Sequence, residues 1–365
     1  MAKKDGKNQI PSSNPPKPPL PPGDIDQRLA RTFSARPIVI PDDGRGPLLE
    51  LINSASRSIL IKQFTFDDPE LLGALLAARR RGVNVRVMLN ARRSSGSRAN
   101  DATFLTLKSN DVMVRWANPN YYVSHEKSMV VDSTWALVAT FNFTSRTFES
   151  MRDYGVIIDD LAAIADIVAC FAADWRRAGF NPAPDTPLVW SKGNSRALMA
   201  HFIDRAKKDL YVQHPKFVDA TILDRLVLAC RRGVDVRILC GGKSGISDFD
   251  MPDTFSSLRI LKPFGAKIRR QKKTLRLHAK LLIADKKVAC LGSMNIDRSA
   301  FDLRRELGIL LNGGAAVKRF SSLFDQDWDQ GTPYDPPDPV SVLPAPEEED
   351  ELTVRLGPDD DDVEE

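Results

Sequence analysis

Histidine and cysteine are both scarce in this chain, with four of each among 365 residues. Cys170, Cys230, Cys240 and Cys290 lie far apart in apolar or strand-like stretches. That arrangement excludes a zinc-ligand spacing and a CxxC redox pair, and buried free thiols in a reducing compartment are the expectation. No cluster of histidine, cysteine and carboxylate has metal-ligand spacing, so neither a metal nor another cofactor is expected. Also missing is any apolar run long enough for a signal-peptide core or a membrane span. The expected location is the cytoplasm or a membrane periphery, with non-classical export left open.

Acidic residues are unevenly placed. The net charge is +4, yet the segment from Glu347 to Glu365 carries −10, which leaves +14 on residues 1–346. A basic body suits a polyanionic substrate, either lipid headgroups or nucleic acid. Residues 1–34 are polar around a proline run, Pro15 to Pro22, and are expected to form a disordered arm. Residues 333–365 are expected to be a disordered acidic tail, a solvating appendage unless it screens the basic body. Between these ends, 35–180 and 194–332 read as two lobes, with 181–193 as a proline-rich linker.

What the middle of the chain does have is a repeated pattern. His125-Glu-Lys127-x4-Asp132 recurs as His278-Ala-Lys280-x4-Asp285. Each His is followed seventeen residues later by an Asn, Asn142 or Asn295, and eleven residues beyond that by Asp153 or Glu306. A single match would be unremarkable, but two copies with the same trailing Asn and acid point to an enzyme. The duplication runs wider, since Arg80-Arg81-Gly82-Val83 matches Arg231-Arg232-Gly233-Val234. A period near 150 residues is too long for a solenoid and indicates two fused copies of one α/β lobe.

Locally, Ser58–Phe66 and Val83–Leu89 read as strands, and Asp68-Pro69 starts a helix with Asp68 as N-cap. Lys127–Asp132 with Ala136–Thr140, and Leu281–Ala284 with Val288–Leu291, read as two equivalent hairpins. Each motif histidine therefore falls where a strand begins.

The paired His-x-Lys-x4-Asp motifs resemble the phospholipase D superfamily, and Gly292-Ser293-Met294-Asn295 is most similar to its cardiolipin synthase-like branch. The first copy departs from the pattern, with Ala139-Thr140-Phe141-Asn142 in place of Gly-Ser-x-Asn and Asp153 in place of Glu. The resemblance covers about residues 36–330 and implies an α/β protein. Its two pseudo-symmetric lobes would each be a mixed sheet flanked by helices, with one active site shared at their interface. It also implies a phosphodiesterase or phosphatidyltransferase working through a phosphohistidine, with His125 as nucleophile and His278 as acid/base.

Those residue types suit the chemistry. A phosphodiester resists attack, and covalent catalysis divides the displacement into two easier steps. An imidazole can attack phosphorus, and a second can protonate the leaving oxygen, because the histidine pKa lies near working pH. Lys127 and Lys280 can neutralise the non-bridging oxygens, and Asn142 and Asn295 can donate to them. Asp153 and Glu306 suit fixing a histidine tautomer. Asp132 and Asp285 fall at hairpin turns and read as structural, alongside Thr140 and Ser293. His201 and His214 have no such company and read as ordinary packed histidines.

Cations crowd the approach to each motif. Arg269, Arg270, Lys272 and Lys273 precede His278, Arg92 and Arg93 follow the Val83–Leu89 strand, and all six read as a substrate-binding rim. Trp116, Tyr121 and Tyr122 could stack on bases or lie at a lipid surface. The substrate is expected to be a phospholipid met from the aqueous side, with peripheral membrane contact. The alternative is a nuclease of the same superfamily cleaving DNA or RNA without a metal. No obligate protein partner is indicated. A non-catalytic binding module would have lost the His/Lys set in one copy, and neither copy has.

Overall fold

The computed structural model describes residues 24–93 and 95–342. The proline run of the N-terminal segment and the acidic run from Glu347 lie outside the described residues. The strands are β1 (Ala35–Ile40), β2 (Ser58–Gln63), β3 (Asn84–Leu89), β4 (Met113–Trp116), β5 (Ser128–Val131), β6 (Trp135–Ala139), β7 (Met151–Ile158) and β8 (Leu188–Trp190). They continue as β9 (Asp209–Gln213), β10 (Asp235–Cys240), β11 (Lys267–Arg270), β12 (Arg276–Leu277), β13 (Leu281–Ala284), β14 (Val288–Gly292), β15 (Leu307–Asn312) and β16 (Thr332–Pro333).

They build two mixed sheets of one topology. The first runs β1-β7-β6-β5-β2-β3-β4, and the second runs β8-β15-β14-β13-β9-β10-β11 with β16 added at the edge. In each, three strands are parallel (β2-β3-β4, β9-β10-β11), and the hairpin carrying the motif pairs antiparallel beside them. The parallel strands need crossover helices, and the sequence starts these well. Asp68 accepts from Leu71 N at 3.0 Å, with Pro69 in the first turn, and Asp219 accepts from Ile222 N at 3.1 Å in the second lobe.

Three large apolar cores result among the described residues, beside a small cluster of Ile246, Met251 and Phe255. Ile59, Ile61, Val85 and Val87 pack on Leu48, Leu71 and Leu75 of the first lobe's outer helices. Leu210, Val212, Val236 and Ile238 do the same with Leu198, Phe202 and Leu226 in the second. The third core joins the lobes: Val138, Tyr154 and Val156 meet Leu281, Ile283 and Ile309, closed by Ile164 and Ile167 of helix Leu161–Trp175 and by Phe320 and Phe324 of helix Gly314–Gln330. Strand alternation explains the division, because successive side chains of one strand feed different cores.

Three boundaries differ from the expectation. The arm expected over 1–34 contains a helix, Asp24–Leu29, that buries Ile25 and Leu29 in the second lobe's core while Arg28 donates to Thr186 O at 2.6 Å. The linker 181–193 contains β8, which pairs with β15 and buries Trp190 completely. Structure continues past 333, the expected start of the tail, since Thr332–Pro333 pairs with β11, Tyr334 packs on Phe255 and Pro339–Val342 forms a helical turn. In all three cases a few apolar residues find a groove that polar and proline-rich neighbours concealed. No helix among the described residues is long and apolar enough to cross a membrane.

Candidate active site

The chain just before each motif crosses to the other lobe. Tyr122 N donates to Leu303 O at 3.1 Å, Arg305 N to Val123 O at 3.0 Å and His125 N to Arg305 O at 2.9 Å. In the second copy β12 pairs in parallel with the start of β7, and His278 N and Ala279 N donate to Arg152 O at 3.2 and 3.0 Å. Arg305 and Arg152 immediately precede the repeat's two acids. Each motif is thus stitched to the strand that carries the other lobe's carboxylate.

The histidine–acid pairs are crossed accordingly. His125 Nδ1 lies 3.0 Å from both Glu306 oxygens, and His278 Nδ1 lies 3.0 Å from both Asp153 oxygens. A carboxylate can only accept, so each Nδ1 carries a proton and Nε2 is the ring nitrogen turned to the chemistry. His125 is fully buried, whereas the His278 side chain keeps 7% of its surface. Lys280 Nζ sits 2.8 Å from His278 Nε2 and donates to His278 O at 2.8 Å. Lys127 Nζ donates to His125 O at 3.1 Å and lies 5.3 Å from the Phe64 ring, whose edge packs on His125.

The trailing residues support the acids. Thr140 Oγ1 donates to Asp153 Oδ1 at 2.5 Å and accepts from Tyr154 N at 2.9 Å. Ser293 instead exchanges hydrogen bonds with the backbone of Leu307, the residue after Glu306. Asn142 and Asn295 are buried, and Asn142 Oδ1 has no hydrogen-bond partner among the described residues. The glycine two residues past each acid is closely approached by a neighbouring side chain. A Cβ on Gly308 would lie 2.6 Å from Met294 Cε, and one on Gly155 would lie 2.9 Å from Phe141 Cε1.

Asp132 and Asp285 stay away from the imidazoles. Both sit in the hairpin turn with positive φ and take backbone N–H groups from the chain entering β2 or β9. Asp132 accepts from Ser56, Arg57 and Ser58 N, and Asp285 accepts from Lys207, Lys208 and Asp209 N. Burial pushes the Asp132 carboxyl up, but these donors outweigh it and hold it at about 2.

Behind each dyad lies a buried ion pair between the lobes that sequence reasoning missed. Arg305 donates to both Asp174 oxygens at 3.0 and 3.1 Å, and Arg152 donates to both Asp327 oxygens at 2.8 and 3.1 Å. The spacing was available in the chain, because the Arg–acid and Asp–Trp pairs both repeat at the motif's own interval. The first copy adds Lys62, whose Nζ reaches Asp174 at 2.7 Å, Glu126 at 2.9 Å and Cys170 Sγ at 3.2 Å. Burial disfavours this ammonium, yet Glu126 and Asp174 outweigh it and keep Lys62 charged. Glu126, Cys170 and Asp174 together have the donors of a metal site, but the Lys62 ammonium already fills the space between them.

The expected rim is partly dispersed. Arg93 is buried, donating to Thr65 Oγ1 at 3.0 Å and lying 5.8 Å from the Phe64 ring, so it lies in the wall behind His125. Arg269 packs on the Trp328 ring and donates to Trp328 O at 2.6 Å. Arg92, Lys272 and Lys273 are exposed, Arg270 is half-buried, and the last three line a cleft of about 320 Å³ with Gly241, Ser244 and Leu277. Trp116 stacks on Phe104 in the first lobe, Tyr121 bonds Arg305, and Tyr122 is exposed. Of the other histidines, His214 is fully buried and bonded at both ring nitrogens, and His201 is half-buried.

The model of the family described as "Cardiolipin synthase, PLD-like domain" matches residues 48–175 and again 199–328. The chain is 26% identical over 322 residues to the cardiolipin synthase of Listeria monocytogenes serotype 4a, covering 77% of this chain and 66% of that one. It thus spans just under two thirds of that relative's length. The phosphatidylserine synthase of Haemophilus influenzae Rd KW20 superposes with a TM-score of 0.65 at 14% identity, over 84% of this chain and 89% of that one. The polyphosphate kinase of Porphyromonas gingivalis superposes at 0.63 with 15% identity, over 86% of this chain and 54% of that one. At such identities the two structures establish a shared fold and nothing finer.

Proposed function

This chain belongs to the phospholipase D-like domain family, carrying the domain twice, and on that premise we propose that it is a phospholipid phosphodiesterase or phosphatidyltransferase. The crossed dyads carry the reading. Two imidazoles are each fixed at Nδ1 by a carboxylate from the opposite lobe, so the chemistry falls to Nε2, which in His278 lies 2.8 Å from Lys280 Nζ.

His125 Nε2 attacks phosphorus while the bond to the leaving headgroup oxygen breaks, and His278, entering this step as the imidazolium with Nδ1–H held by Asp153, gives its Nε2 proton to that oxygen and becomes neutral. Water or an alcohol then gives its proton to His278, attacks phosphorus and releases His125. Lys127, Lys280, Asn142 and Asn295 neutralise and hold the non-bridging oxygens, while Glu306 and Asp153 stabilise each imidazole as it becomes positive. The exposure remaining to His278 supports its role, because that residue must meet the incoming water or alcohol.

Phospholipid is favoured over nucleic acid by the cardiolipin synthases among the curated relatives and by the state of the basic residues. Lys262 and Lys267 are ion-paired with Asp335 and Asp235, and Arg269 is docked on Trp328, so among the cations upstream of His278 Arg270, Lys272 and Lys273 are the ones gathered at the cleft, a short patch. The protein would meet lipid from the aqueous side as a peripheral enzyme. The test is one assay in EDTA offering anionic and choline phospholipid vesicles beside labelled single- and double-stranded DNA, with His125→Ala as control. Headgroup release, or a new phosphatidyl-alcohol when glycerol is added, is expected. DNA cleavage with untouched lipid would overturn the proposal.

A further inference from the structure

Gln63 ends β2 and is 1% exposed, yet neither its Nε2 nor its Oε1 has a hydrogen-bond partner among the described residues. A buried carboxamide left unpaired at both ends is costly, and such groups are normally satisfied or reserved for a ligand. Its position says which ligand it can reach. The β2–β5 ladder pairs Ile61 with Met129 and Lys62 with Ser128, so the next step places Gln63 opposite Lys127, on the side of the strand that also carries His125. Phe64, the following residue, packs on the His125 ring at 4.8 Å.

The second lobe supplies an internal comparison. Its equivalent strand pairs Leu281 with Gln213, so His214 takes Gln63's place beside Lys280. There the side chain is satisfied within the protein: His214 Nδ1 accepts from Lys216 N at 3.1 Å and Nε2 donates to Met294 O at 3.3 Å. The same position is closed in one lobe and open in the other, and the open one adjoins the proposed nucleophile. A phosphoryl group offers acceptors only and would leave Oε1 unpaired. A hydroxyl group donates as well as accepts, and a vicinal diol can engage both ends of a carboxamide at once.

We propose that Gln63 is a binding residue for the hydroxyl-bearing acceptor, a glycerol-type polyol, and so sets the partition of the phosphoenzyme between transfer and hydrolysis. This rests on the function proposed above. Binding the diol positions one hydroxyl against phosphorus, and in its absence water takes the same path.

The test replaces the carboxamide with an apolar side chain of similar size, Gln63→Leu, in the full-length protein. Headgroup release and phosphatidyl-glycerol formation are measured across a glycerol series, together with the melting temperature. The transfer-to-hydrolysis ratio should fall at least about tenfold with a raised KM for glycerol, while headgroup release falls no more than about threefold. The melting temperature should hold or rise, because an unpaired polar group has been removed. An unchanged ratio, equal losses in both reactions, or a marked fall in melting temperature would each overturn the assignment. Wild-type protein that releases no headgroup would sink the underlying function instead, and the acceptor site with it.

Discussion

Each motif histidine is held at Nδ1 by the other lobe's carboxylate, Glu306 for His125 across 181 residues of sequence and Asp153 for His278 across 125. His125→Ala and His278→Ala should each lower turnover at least about a thousandfold, because in the proposed mechanism both act on one phosphorus. The crossing itself is tested by stability double-mutant cycles. Coupling is expected for His125 with Glu306 and for His278 with Asp153, and none for His125 with Asp153. His214 gives a pH prediction. Burial, and then the nearby Lys280, hold it at about 3 instead of 6.5. The unfolded chain takes up this proton below pH 6.5 while the folded chain refuses it, so the group's stabilisation is complete above pH 6.5 and lost as pH falls toward 3. At pH 5 the loss is about 2 kcal/mol, and urea titrations at pH 7.5 and 5.0 should show His214→Gln removing that part of the slope.

At the scale of elements, the hairpins, the capped crossover helices and the repeated lobe were all legible, because period-two patterning, Asp-Pro starts and the His-x-Lys-x4-Asp spacing are local signals. The pairing of β12 with β7, and of the chain before His125 with Leu303–Arg305, was not legible. Such contacts join segments more than a hundred residues apart and depend on how two sheets face each other. That is why both acids were named from the sequence without the histidine each would serve. Gln63, Lys62 and Arg93 were misplaced or overlooked for the same reason: a strand's end reveals its neighbours only once the ladder is built. The ion pairs behind the dyads are elements of the lobe joint. Burial works against the Asp174 carboxylate, and Lys62 and Arg305 outweigh it and hold it below its usual range. Asp174→Ala strips the buried Arg305 of its carboxylate and leaves Lys62 with Glu126 alone, and should cost about 3–5 kcal/mol in denaturant unfolding.

For the whole molecule, near-identical sheet topologies conceal unequal halves. The first copy has Glu126 with Lys62 and an unpaired Gln63, whereas the second has Ala279, Gln213 and a fully bonded His214. A pseudo-twofold frame with two different sides suits two histidines with different tasks. The catalytic order is tested most directly by quenching the enzyme with denaturant at alkaline pH, where the P–N bond survives, during turnover of a short-chain phospholipid and locating the adduct by mass spectrometry. The account predicts a phosphatidyl group on His125, lost in His125→Ala. An adduct on His278, or turnover that inverts configuration at phosphorus with no adduct on either histidine, would contradict it.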